Sequence, residues 1–211
     1  MNLRLLRLIR YAAVIGIFIF AGYYAGRFFF PGGADTRTAA ESAAATTEAA
    51  GPARLVDELP AIRLEDLDGE LRSIAEWSDG PLVINFWATW CAPCLREMPL
   101  LETAWNYRKP DGLTIVGIAV DRRDDVEPYL EKTGVTYPIL IGQSDAMQAA
   151  ESFGPDFAGL PYTVFAASGG QVLGVFSGEL KPVELDRILT VVLDASAGRL
   201  PIDAARARLA D

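Results

Sequence analysis

The chain has 211 residues, two cysteines and no histidine, with 19 basic and 28 acidic side chains and a formal charge of −9. Without histidine there is no Ser-His-Asp triad, no Cys-His pair and no His-ligated zinc or haem, and two cysteines do not complete an all-cysteine zinc site. The acidic balance removes the cationic surface that supplies most nucleic-acid affinity, and no GxxxxGK[ST] or GxGxxG phosphate cradle occurs, so carboxylate or thiol chemistry remains.

Charge is unevenly placed along the chain. Residues 1–30 carry Arg4, Arg7, Arg10 and Arg27 and no acid, which leaves 15 basic against 28 acidic side chains in the rest. The 16 uncharged residues between Arg10 and Arg27 span about 24 Å as a helix. A hydrocarbon core of roughly 30 Å is crossed once Leu8, Ile9 and Phe28–Phe30 join them, with Arg27 snorkelling and Tyr23 and Tyr24 at the interface. Residues 1–30 therefore read as an N-terminal transmembrane anchor. A cleaved signal peptide, cut at Gly32-Gly33-Ala34, and a buried soluble helix are the competing readings. Arg27 and the Phe28–Phe30 run argue against cleavage. With either an anchor or a signal, the arginine-rich end stays in the cytoplasm and the remainder is exported.

Residues 31–54 hold nine alanines and no large apolar side chain, so they bury no core face and read as a flexible Ala-rich linker. The composition turns globular from residue 55, and 55–197 is long enough for one well-cored domain. Its first elements are a hairpin of Ala61–Leu64 and Leu71–Ile74 around Asp68-Gly69. Leu82–Trp87 and Leu113–Val120 are almost wholly apolar, as strands buried on both faces are. Met98, Leu101 and Trp105 between them fall at helical spacing. Val126, Tyr129, Leu130 and Thr133 predict a helix that Gly134 ends. A short strand over Pro138–Ile141 and a short helix over Asp145–Phe153 follow. Tyr162–Ala167 and Gln171–Ser177 flank a Ser168-Gly169-Gly170 turn, and Pro182 opens a last helix with core residues Leu185, Ile188, Leu189 and Val192. The order ββ, βαβαβα, ββα defines an α/β domain with a mixed sheet. Residues 198–211 form a C-terminal tail in which Ile202–Asp211 make a short amphipathic helix.

Both cysteines lie in Trp90-Cys91-Ala92-Pro93-Cys94, between a buried strand and the helix after it. A helix N-terminus presents free N–H groups and the positive end of the dipole, which favours a thiolate at Cys91 over the free thiol. Cys94, three residues on, faces back and can close a disulfide. Pro93 sits where a missing N–H costs nothing. Cys91 is thus the attacking thiol and Cys94 the resolving one. A purely structural disulfide over so small a loop stabilises little. A metal site lacks further cysteine or histidine ligands, and inert paired thiols in an exported domain tend to oxidise.

The segment Val83-Ile84-Asn85-Phe86-Trp87-Ala88-Thr89-Trp90-Cys91-Ala92-Pro93-Cys94-Leu95-Arg96-Glu97-Met98-Pro99 resembles the active site of thioredoxin-fold proteins. More narrowly it is similar to the TlpA/ResA-like group of bacterial, membrane-tethered, exported thiol-disulfide oxidoreductases, and the likeness covers roughly residues 59–193. It implies a thioredoxin fold with an N-terminal β-hairpin and a central β-α insertion around Thr136–Phe153, preceded by one transmembrane helix. Gly159-Leu160-Pro161-Tyr162-Thr163 resembles the family's cis-proline loop, which turns the backbone of the preceding residue, here Leu160, toward a peptide that adds as a strand. Glu97 matches an acidic residue that the family implies beside the thiols as proton acceptor; an ordinary solvated helix glutamate is its other reading. Asn85 stands where ordinary thioredoxin has a titrating aspartate, which moves that task to Glu97. Trp90, with Pro93, Leu160 and Pro161, forms the expected substrate-binding surface, and Trp87 belongs either to that apolar shelf or to the core. Arg122–Asp125 read as a solvated helix start.

The resemblance places the catalytic domain in the periplasm, single-pass on the bacterial inner membrane. It implies a reductase, since no histidine lies between the cysteines to make the pair strongly oxidising. The expected cofactor is none beyond the Cys91–Cys94 disulfide, and no metal or nucleic acid is expected. Partners are exported proteins with disulfides, of the cytochrome c or copper-assembly type, and a membrane thiol electron donor. Two alternatives come from other classes. One is a thiol peroxidase of peroxiredoxin type, for which Thr89 lies two before Cys91 with no proline at the needed spacing. The other is a non-enzymatic copper-binding module that uses the pair as soft ligands.

Overall fold

The computed structural model describes residues 55–210. The anchor expected over 1–30 and the linker over 31–54 lie outside the described residues. Among the described residues no helix is long and apolar enough to cross a membrane.

The domain begins with a turn built by one side chain. Asp66 Oδ1 accepts the N–H groups of Asp68 at 3.0 Å and Glu70 at 2.9 Å, and Gly69 supplies the positive φ of 82°. The strands on either side are β1 (Arg63–Asp66) and β2 (Leu71–Ser73), paired with Leu64 opposite Arg72. The first strand thus starts two residues later than Ala61, because Asp66 must sit at the turn for its carboxylate to close it. Ile74 leaves β2 and opens a 3-10 turn, Ile74–Trp77, where Glu76 Oε1 accepts the Ser73 N–H at 2.8 Å.

The sheet has seven strands in the order β2-β1-β5-β4-β3-β6-β7. At its centre β3 (Leu82–Trp87), buried throughout, runs parallel to β4 (Thr114–Val120), and β4 runs parallel to β5 (Ile139–Gly142). The hairpin joins antiparallel to β5. On the other flank β6 (Tyr162–Ala167) runs antiparallel to β3, and β7 (Gln171–Ser177) antiparallel to β6. The helices are α1 (Ala92–Arg108), α2 (Arg123–Thr133), α3 (Ser144–Glu151), α4 (Pro182–Ser196) and α5 (Ile202–Ala210). Gly134 ends α2 in the left-handed region at φ 69°. The expected insertion is present as β5 and α3. This is the thioredoxin-fold arrangement.

Alternation along β3 divides the core. Leu82, Ile84 and Phe86 pack with the hairpin, α3 and Phe153 on one face; Val83 and Trp87 pack with α1, α2 and α4 on the other. The second face also holds Asn85, fully buried, and this is the face on which both cysteines lie. Within 198–211, α5 packs on β7: Ala205 is buried, and a Cβ on Gly174 would come within 3.0 Å of Leu209. Arg206 of α5 donates to the carbonyls of Val172 and Asp57, each at 2.9 Å, so the last helix clasps both the outer strand and the start of the domain.

Candidate active site

β3 ends at Trp87 and a short link delivers the chain to Cys91, the N-cap of α1 in extended conformation (φ −92°, ψ 94°). An N-cap residue normally lends an oxygen to the helix's free donors. Here a sulfur takes that place: Cys91 Sγ accepts the Cys94 N–H at 3.3 Å. The contact that satisfies the helix end is the one that stabilises negative charge on Cys91 when the bond is open. Cys91 and Cys94 form a disulfide with Cα atoms 5.3 Å apart. Cys91 is buried at its edge and Cys94 wholly so. Pro93, half-buried, is the second helical residue, where a backbone N–H would have no intrahelical acceptor and its lack costs nothing.

The link itself is held from the neighbouring strand. Asp121, just past β4, accepts the Thr89 N–H at 2.9 Å and the Thr89 hydroxyl at 2.6 Å on one oxygen. Beyond Thr89, Trp90 stands 67% exposed, while Trp87 is fully buried against Tyr129, ring centroids 5.5 Å apart. Of the two tryptophans only Trp90 is shelf; Trp87 is core. Trp90 borders a groove of about 440 Å³ whose other walls include Val120, Arg122, Gln143 and Met147. The Leu160–Pro161 bond is cis, as expected. Register sets its place: Phe86 pairs with Tyr162, so Pro161 falls beside the C-terminal end of β3, where the cysteine link begins.

Glu97 is 1% exposed, so it is no solvated helix residue. It lies on the buried stripe of α1 three residues after Cys94, which puts the two side chains about 5–6 Å apart at Cβ. Its oxygens have separate partners. Oε2 accepts the Leu180 N–H at 2.7 Å, and Oε1 accepts Asn85 Nδ2 at 2.8 Å. The same Nδ2 reaches Thr163 Oγ1 at 2.9 Å. Burial pushes the Glu97 carboxyl up to about 7, against the opposing pull of the Leu180 and Asn85 donors. Glu179, next to Leu180, is held down to about 2 by Arg96 and Lys181, which bond its carboxylate from both sides. The carboxyls of Glu97 and Glu179, on either side of the Leu180 N–H contact, are thereby set far apart, one poised and one ionised.

Asn85 was expected at the site only as a residue that cannot titrate, and Thr163, Leu180 and Asp121 were given no role there. For Asn85 the sequence signal was its substitution for aspartate; for Thr163, its place two residues after Pro161, on the same strand face as Asn85. Leu180 acts through its backbone and leaves no signal in side-chain type. Among the described residues no group of three or more His, Cys, Asp or Glu is placed to hold a metal ion.

A seven-stranded thioredoxin fold with a disulfide at the N-terminus of its long helix, opposite a cis-proline, defines a thiol-disulfide oxidoreductase. The sequence model of the AhpC/TSA family matches residues 55–172, and the chain belongs to that family. Within it the chain is ResA-like. It is 31% identical over 131 residues to the thiol-disulfide oxidoreductase ResA of Geobacillus kaustophilus, covering 62% of this chain and 73% of the relative. To ResA of Bacillus subtilis it is 27% identical over 124 residues, 58% and 67% of the two chains. Among solved structures, a thiol:disulfide interchange protein of the thioredoxin family from Chlorobium tepidum superposes with a TM-score of 0.59 at 28% identity, over 68% of this chain and 99% of that one. A DsbF homologue from Corynebacterium diphtheriae gives 0.56 at 25% identity, over 69% and 96%.

Proposed function

We propose that the protein is an exported reductase of protein disulfides, tethered by residues 1–30 to the bacterial inner membrane with its catalytic domain in the periplasm. The observation that carries the reading is the buried pair of Cys94 and Glu97, one helical turn apart, behind a Cys91 sulfur that receives a helix-end N–H. In the reduced protein the Cys91 thiolate attacks one sulfur of a client disulfide. The client S–S bond breaks, a Cys91–client disulfide forms, and the released client sulfur takes a proton. Cys94 then gives its proton to the Glu97 carboxylate and attacks Cys91 Sγ. The Cys91–Cys94 bond forms, and the second client sulfur leaves and is protonated. The client gains two electrons and two protons; a membrane thiol donor restores them by the reverse exchange.

Glu97 with a pKa about 7 suits both halves of that cycle, since it accepts and releases a proton near neutral pH. Trp90, Pro93, Leu160 and Pro161 would seat the client chain, the Leu160 backbone pairing with it as an added strand. Clients of the apocytochrome c or copper-assembly type fit a reductant that works outside the cytoplasm. The peroxidase alternative is weakened by Thr89, whose hydroxyl proton is committed to Asp121.

Redox titration of the Cys91–Cys94 pair against glutathione tests the direction. A reductase requires a potential more negative than about −200 mV; a value near the roughly −120 mV of the strongly oxidising class would overturn the reading. Cys91→Ser abolishes disulfide reduction, and Cys94→Ala accumulates the mixed disulfide from which the client is identified. Retained reduction by Cys91→Ser would remove the pair from the chemistry.

A further inference from the structure

Asn85 is a fully buried carboxamide with one half in use. Its Nδ2 bridges Glu97 Oε1 and Thr163 Oγ1, while its Oδ1 has no hydrogen-bond partner among the described residues. A buried carbonyl left unpaired costs free energy, and native interiors tolerate few such atoms. The bonds that Asn85 does make are the right ones for an ionised Glu97, which only accepts. They are the wrong ones for a protonated Glu97, whose O–H needs an acceptor.

Where the proton sits follows from the partners. Oε2 faces the Leu180 N–H, a backbone donor that has no acceptor to offer in its place. Oε1 faces Asn85, whose amide presents an acceptor instead of a donor after a half-turn about its last side-chain bond. We propose that Asn85 is a positioning residue for the proton transfer: its carboxamide turns over each time Glu97 gains or loses a proton on Oε1. The proposal rests on Glu97 being the acceptor for Cys94. With Glu97 ionised, Nδ2 donates to Oε1 and Thr163 Oγ1, and Oδ1 is unpaired. With Glu97 protonated, Oδ1 accepts from Oε1–H and from the Thr163 hydroxyl, and Nδ2 is unpaired. Each arrangement leaves half the amide unsatisfied, so neither locks the carboxyl in one state. A group that must change protonation twice per catalytic cycle requires that balance.

The strand register supports the geometry. Asn85 is opposite Thr163 across β3 and β6 and opposite Gly117 across β3 and β4. Gly117 has no side chain to fix the amide from that side. The titratable or charged groups around Glu97 are Cys94 on α1, Glu179 and Lys181 on either side of Leu180, and Tyr137 just before β5. None donates to or accepts from Oε1 among the described residues, which leaves Asn85 as its partner.

The chain holds three asparagines, Asn2, Asn85 and Asn106, so the side-chain amide of Asn85 is assigned in the oxidised, full-length protein by 15N-asparagine labelling with Asn2→Ser and Asn106→Ser. Both of its amide proton signals are expected to move together through one midpoint near pH 7, the proton bonded to the carboxylate losing its downfield shift on the acid side. Asn85→Ala removes both the donor to the ionised form and the acceptor of the protonated form. The bond to the charged form is the stronger of the two, so the substitution is expected to raise the pH midpoint of disulfide exchange by about 1 unit and lower the rate at pH 7 about fivefold. A merely structural asparagine would lower the melting temperature and leave that midpoint in place. Asn85 signals that stay flat while Glu97 titrates overturn the proposal and leave Glu97 as acceptor. An exchange profile unchanged in Glu97→Gln overturns both.

Discussion

Glu97→Gln separates a carboxyl that is tuned from one that is merely enclosed. In the folded, oxidised protein its pKa is raised from 4.5 to about 7 by burial. The fold therefore binds a proton that the unfolded chain releases between those two values. Stability from this group is fully present below pH 4.5 and is lost as pH rises through 7. At about 1.4 kcal/mol per unit, the displacement amounts to roughly 3 kcal/mol. Gln carries no charge at either pH, so the mutant should lose none of it. Between pH 4.5 and 8 the stability of the mutant should thus gain about 3 kcal/mol on that of the wild type, or roughly 6–12 °C in melting temperature for a protein of this size. Thermal unfolding of both oxidised proteins, followed by tryptophan fluorescence across that range, measures the difference. Two curves that stay parallel to within about 0.5 kcal/mol would contradict a raised pKa, because a carboxyl titrating in its ordinary range leaves no gap to open.

Three further substitutions probe the surroundings. Gly117→Ala places a Cβ 2.7 Å from Ile139 Cδ1 and 3.1 Å from Trp87 Nε1, and should cost about 1–3 kcal/mol in denaturant unfolding; an unchanged midpoint would show that the strand has slack there. Asp121→Ala strips the acceptor from both the Thr89 N–H and its hydroxyl. It should destabilise by about 1–3 kcal/mol and slow client reduction, and a full rate would mean that the link to Cys91 holds its shape unaided. Trp90→Ala, at an exposed position, should leave stability within about 0.5 kcal/mol while slowing reduction of protein disulfides more than of a small disulfide. Equal slowing of both substrates would take Trp90 out of client docking.

What the sequence made legible was local. The apolar run of Leu82–Trp87 announces a strand buried on both faces, and the periodic Val126–Thr133 stretch with Gly134 announces α2 and its end. The cysteines follow, since a pair three apart at a helix start has few other uses. The resemblance implied Glu97 beside the thiols, with a solvated helix glutamate as its other reading, and its partners were out of reach. Asn85 meets Thr163 across 78 positions and Glu97 meets the Leu180 N–H across 83. Such contacts depend on strand order and on a backbone donor, neither of which residue type encodes. The hairpin shifted for a related reason: the apolar pattern favoured Ala61–Leu64, while a single carboxylate, Asp66, decided where the turn closes.

The clasp of α5 on β7 bears on how the border of the sheet is covered. β7 ends the sheet, and an outer strand with free N–H and C=O groups invites pairing with another chain. Here Leu59 donates to Gly170 and Val172 donates to Asp57, closing the start of that strand, and Arg206 takes the Val172 carbonyl. At the opposite border β2 is only three residues long and carries Arg72. The C-terminal helix, remote in sequence from the thiols, thus covers part of the border at which a second chain could pair. A chain cut before Ile202 should expose that border and elute earlier in size-exclusion chromatography as an associated species; an unchanged elution volume would show that the helix guards nothing.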